Sequence, residues 1–72
     1  MSILRMRPND DELAPSLAFF LRRHGCHVDL DEDGTLVVEP PHEVHDMQAR
    51  LEVQLYVRLW AVLHDADVTI AG

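Results

Sequence analysis

The stretch CHVDLDEDGTLVVEP, residues 26–40, decides the fold. Cys26, Val28 and Leu30 alternate with His27, Asp29 and Asp31, and Leu36 and Val38 alternate with Thr35, Val37 and Glu39. Alternation of apolar and polar residues with period two marks strands that bury one face. Between the two runs, Glu32-Asp33-Gly34 supplies a turn, with Gly34 at the left-handed position that other residues avoid. The register that keeps both apolar sets on one face pairs Leu30 with Leu36 and Val28 with Val38. It sets His27 opposite Glu39 on the other face.

Working outward, each side of the hairpin carries a helix and then a short strand. On the N-terminal side, Asn9-Asp10-Asp11-Glu12 is a helix-start signal, with Asn9 and Glu12 in the spacing of a capping box. Leu13, Leu17, Phe20 and Leu21 share one face. Pro15 is tolerated only in a first turn, so the regular helix is expected to start near Asp11–Ala14. Gly25 ends it. On the C-terminal side, Glu43 to His64 runs for 22 residues without Gly or Pro and reads as one long helix. Beyond the helices, Ser2–Arg7 alternates, with Pro8 as a stop, and so does Val68–Ile70. The order β-α-β-β-α-β predicts an α+β, ferredoxin-like two-layer sandwich: two helices on one face of a four-stranded antiparallel sheet in the order 4-1-3-2. The far face would carry Arg5, Arg7, His27, Asp29, Asp31, Val37, Glu39 and Thr69, a solvated set. The alternative is α-β-β-α-β with the N-terminal segment disordered.

Residues 1–72 make one domain, and so short a chain buries only about 60% of its unfolded surface. Disulfides, a metal or oligomerisation usually help at this size. Cys26 is the only cysteine, which excludes an intrachain disulfide and suits a reducing, cytoplasmic setting. No apolar run has the length of a signal peptide or a membrane span. Six arginines, no lysine and thirteen acids leave a net charge of −7. That balance argues against nucleic acid, whose phosphates need a basic stripe, and against an anionic membrane surface.

The long helix carries more apolar residues than one face needs. At 100° per residue, Val44, Leu51, Leu55, Leu59 and Val62 fall within about 80° of arc, flanked by Met47. This arc is assigned to the sheet. Val53, Tyr56, Val57 and Trp60 fall on a second arc, with Ala49 and His64. A chain of this size cannot cover both, so the second arc, joined by Phe19 on the first helix, is expected to form an interface. The leading function is therefore a small protein-interaction or regulatory module, homodimeric through the outer face of residues 43–64 or bound to a protein partner.

Two other functions follow from smaller features. His24 and His27 end the first helix and His42 and His45 begin the second, junctions at one end of the proposed topology. Imidazoles of this kind suit zinc or another transition metal. Against that, Cys26 faces the core, His24 can cap its helix, and neither CxxC nor HExxH occurs. Asp29-x-Asp31-x-Asp33-Gly34 has the first half of a calcium loop, but Pro40 stands where the bidentate Glu belongs. Catalysis gains little: no Gly-rich phosphate loop is present, and Cys26 lacks an oxyanion site. A small dimeric enzyme or ligand carrier is the third reading.

Overall fold

The computed structural model describes residues 3–40 and 46–71. In chain order it contains β1 (Leu4–Pro8), a 3-10 turn (Asp11–Leu13), α1 (Ala14–Arg23), β2 (His27–Leu30), β3 (Leu36–Glu39), α2 (Asp46–His64) and β4 (Val68–Ala71). The strands form one sheet in the order β2-β3-β1-β4, with antiparallel neighbours throughout. This is the expected α+β arrangement, consistent with a ferredoxin-like sandwich. Val28 faces Val38, Leu30 faces Leu36 and His27 faces Glu39, as the alternation requires. Leu4, Met6, Val28, Leu36 and Val38 are buried beneath both helices in one cluster with Leu17, Leu21, Val53 and Trp60. Arg5, Arg7, His27 and Asp29 lie on the exposed face.

Pro8 is the last residue of β1 and not the stop beyond it, although β1 lies in the middle of the sheet. The Asn9 N–H donates to the Asp67 carbonyl at 2.8 Å. Antiparallel pairs alternate between bonded and non-bonded, so Arg7↔Thr69 is bonded and Pro8↔Val68 is not. On its other side, the pairing of β1 with β3 ends at Met6↔Leu36. Proline therefore forfeits no ladder hydrogen bond here.

The helix start differs from the capping box expected at Asn9. Asp10 is the cap, its Oδ1 accepting from the Glu12 N–H at 3.0 Å. Asn9 is occupied elsewhere: its Oδ1 accepts from the Asp67 N–H at 3.1 Å, tying the approach of α1 to that of β4. A 3-10 turn over Asp11–Leu13 then lets Pro15 fall in the first turn of α1.

Both helices end in the same way. After α1, Gly25 has φ +90°, the Cys26 N–H reaches the Leu21 carbonyl at 3.1 Å and the Gly25 N–H reaches that of Arg22 at 3.1 Å. After α2, Ala66 N–H meets the Ala61 carbonyl at 2.9 Å and Asp65 N–H that of Val62 at 3.4 Å. Here the left-handed residue is Asp65, with φ +50°. An aspartate tolerates this region less well than glycine does. Asp65→Gly should therefore recover part of the roughly 1–2 kcal/mol that the left-handed conformation costs an L-residue, a rise in Tm of a few degrees that a thermal scan would record.

The hairpin turn has no such latitude. Gly34 has φ +89°, and a β-carbon there would lie 2.9 Å from Asp11 Oδ1. Asp11 is also placed by Arg7, 3.4 Å from its carboxylate. Gly34→Ala should destabilise the fold by about 1–3 kcal/mol, since backbone strain and a steric clash act together. Urea unfolding would show the loss as a lower midpoint at unchanged m-value.

The long helix lies the other way round from the sequence assignment. Val53, Val57 and Trp60 are 0–2% exposed and belong to the core. Ala49 is buried and Tyr56 partly so. Leu51, Leu55, Leu59 and Val62, expected against the sheet, are all exposed. Both arcs are apolar and of similar width, so periodicity does not choose between them. Polar satisfaction does. Trp60 Nε1 donates to Ser16 Oγ on α1 at 3.3 Å, and the Tyr56 ring stacks on His24 with centroids 4.4 Å apart. Both contacts require this arc to face α1. The all-aliphatic leucine arc has no group that could satisfy the partly buried Ser16.

Candidate functional site

Rotation of α2 moves the candidate interface to a different set of residues. Met47, Leu51, Leu55, Leu59 and Leu63 are four apart, and every one is more than half exposed, from 51% at Leu59 to 74% at Met47. Val62 beside them is 79% exposed. Residues four apart line up as a ridge on a helix, inclined to its axis. Gln48, Glu52 and Arg58 are the polar residues on this side of the wheel, so the apolar ridge is nearly continuous. Its six side chains present on the order of 600 Å², the upper end for a patch left open on a monomer. Phe19 on α1 is 62% exposed, with Arg23 Cζ 5.8 Å from its ring centre.

Of the residues the sequence marked for an interface, Phe19 alone is fully at the surface. Val53, Val57 and Trp60 cannot meet a partner without unfolding, and Tyr56 is engaged in a ring stack between the helices. The leucine ridge was legible as an apolar arc. Its exposure was not legible, because the spacing does not say which of the two arcs faces the sheet.

The histidines separate. His24 lies against the helix layer, between Tyr56 and the Phe20 ring at 4.7 Å. His27 is exposed on the far face of the sheet, 3.8 Å from Asp29. Cys26 between them is buried, and burial pushes its thiol pKa up. It stays protonated at neutral pH, which suits a small core residue and not a nucleophile or ligand. Among the described residues, no three His, Cys, Asp or Glu side chains converge in a way that could hold a metal ion. His42 and His45 lie outside the described residues.

The acids of the hairpin are accounted for locally. Asp33 Oδ1 accepts from the Thr35 N–H at 3.0 Å, and that bond holds its carboxyl below the ordinary range. Asp29 and Asp31 are exposed beside it, on strand and loop where an EF-hand would have helices.

A second surface feature lies between α2 and β4. It is an open groove of about 510 Å³, with Arg50, Gln54 and Arg58 on one side and Val68 and Ile70 on the other. Among the described residues, no helix is long and apolar enough to cross a membrane. Comparison of the chain with protein-family models, curated proteins and solved structures finds no match.

Proposed function

We propose that the chain is a small protein-interaction module that works as a homodimer through the outer ridge of α2. The observation that carries this is the row Met47, Leu51, Leu55, Leu59 and Leu63, exposed along five successive i, i+4 positions. The area it offers approaches the ~800 Å² that each partner gives to a standard interface. A second copy is the simplest occupant, because one ridge then serves both partners in an isologous contact. Rows of this inclination pack into each other's grooves with the helix axes crossing at about −50°. Dimerisation also supplies the extra burial that a 72-residue chain without disulfides needs. The net charge of −7 favours protein over nucleic acid as a partner, and the lone buried thiol suits the reducing cytoplasm. Sedimentation velocity on the wild type at tens of micromolar tests the proposal. A dimer is expected, and a monomer at that concentration rejects it.

A further inference from the structure

The two edges of the sheet are treated differently. On β2, the Asp31 N–H bonds to the Thr35 carbonyl at 2.8 Å. The bonded pairs with β3 are therefore the odd-numbered residues, and the backbone of Val28 and Leu30 points off the edge. Arg22 covers that edge, its Nη2 donating to the Val28 carbonyl at 2.7 Å. On β4, the same alternation, set by Asn9 and Asp67, turns the N–H and C=O of Val68 and Ile70 outward. Among the described residues, no side-chain hydrogen bond like that of Arg22 is seen at these groups. The strand VTIA has no Lys, Pro or bulge, although it is short.

Beside this edge runs the groove between α2 and β4. Arg50, Gln54 and Arg58 form one i, i+4 row along it, Ala61, Val68 and Ile70, all half-buried, line its apolar part, and the exposed Asp67 closes the end next to Val68. In a chain of net charge −7, two of the six arginines stand on this one row. Arg50 already has an interaction of its own, so the exposed Arg58 is the cation this row offers to a partner. Residues four apart on a helix are separated by about 6 Å along its axis. Alternate residues of an extended strand are separated by about 7 Å. The two periods nearly match over three positions.

We propose that the β4 edge docks an extended acidic segment of a protein partner. The segment adds to the sheet as a fifth strand bonded to Val68 and Ile70, and a carboxylate on its helix-facing side meets Arg58, with Gln54 beside it. Main-chain bonds supply the attachment and Arg58 selects the charge. This surface borders the outer ridge of α2 at Arg58, and the Val68 and Ile70 amides, which lie outside the ridge, distinguish peptide docking from contact between two ridges.

The test is an NMR titration of the full chain with a capped heptapeptide of alternating threonine and glutamate. Shifts are expected at the Val68 and Ile70 amides and the Arg58 side chain, weakening as salt is added. The lysine counterpart of the peptide should bind at least tenfold more weakly, and Arg58→Gln should weaken the glutamate peptide by a similar factor. Ile70→Pro removes an outward N–H without touching the β1–β4 ladder, and should abolish binding while Ile70→Ala retains it. Equal binding of the two peptides by the wild type overturns the proposal, whatever the variants do. So does the absence of shifts at millimolar peptide, or a folded Ile70→Pro that binds like the wild type.

Discussion

Trp60→Ala should bring the chain to the edge of unfolding at 25 °C. Trp60 is 1% exposed and is the largest buried side chain. Truncating a buried tryptophan costs about 3–5 kcal/mol, from lost transfer energy and the cavity left behind. A domain of this length has about 4–10 kcal/mol in total. The loss therefore takes half the margin or more, and urea unfolding followed by circular dichroism would record it. Two further variants separate packing from hydrogen bonding. Trp60→Phe keeps much of the volume and loses the bond to Ser16, at about 1 kcal/mol. Ser16→Ala strands the buried indole N–H and should cost about 1–3 kcal/mol. In dilute solution, where any dimer is dissociated, Leu55→Ala on the outer ridge should stay within about 0.5 kcal/mol of wild type, as surface substitutions do. If the leucine arc of α2 faced the sheet instead, the ranking of Trp60→Ala and Leu55→Ala would be inverted.

The contrast between these variants marks where the sequence was readable. Strand pairing could be derived because the period of two, the Gly34 turn and the need to keep Val28, Leu30, Leu36 and Val38 on one face all pointed to one register, although Leu30 at the end of β2 stays exposed. The order of elements then restricted the topology to a few choices. The rotation of α2 about its own axis could not be derived the same way. Two apolar arcs on opposite sides of one helix leave no single core face in the pattern, and nothing local breaks the tie. The decisive contacts are tertiary: Trp60 with Ser16, 44 positions earlier, and Tyr56 with His24. Ser16 was the available clue. A hydroxyl on the flank between Leu13 and Leu17 of a packed helix needs a partner, and Trp60 carries the only indole N–H in the chain. The capping at Asn9 failed for a related reason. Its spacing to Glu12 fits a local motif, but its side chain is used by Asp67 across the sheet. His24 and His27 were grouped by closeness in sequence, and the turn at Gly25 and the alternation of β2 send them to opposite layers.

Leu55→Asp should abolish the proposed homodimer and leave a folded monomer. Leu55 is the middle residue of the five-residue ridge, 61% exposed in the single chain. In an isologous pair, the centre of the ridge is nearest the two-fold axis, so the substitution places two carboxylates close together in an apolar contact. Desolvating even one unpaired carboxylate there costs several kcal/mol. In the isolated chain the same aspartate stands in water on a helix surface and costs about what helix propensity dictates, ~0.5 kcal/mol. The prediction is thus a separation of two properties: far-ultraviolet circular dichroism unchanged, association lost. Thermal unfolding gives an independent reading, because the stability of a dimer depends on protomer concentration. The wild-type Tm should rise with concentration, and that of Leu55→Asp should not. Leu51→Asp and Leu59→Asp, one turn to either side, should weaken the dimer similarly. Val53→Asp should instead unfold the chain, because Val53 is fully buried. A Leu55→Asp variant that still sediments as a dimer would show that the contact lies elsewhere on the molecule. A concentration-independent Tm for the wild type would leave the ridge without a second copy to cover it.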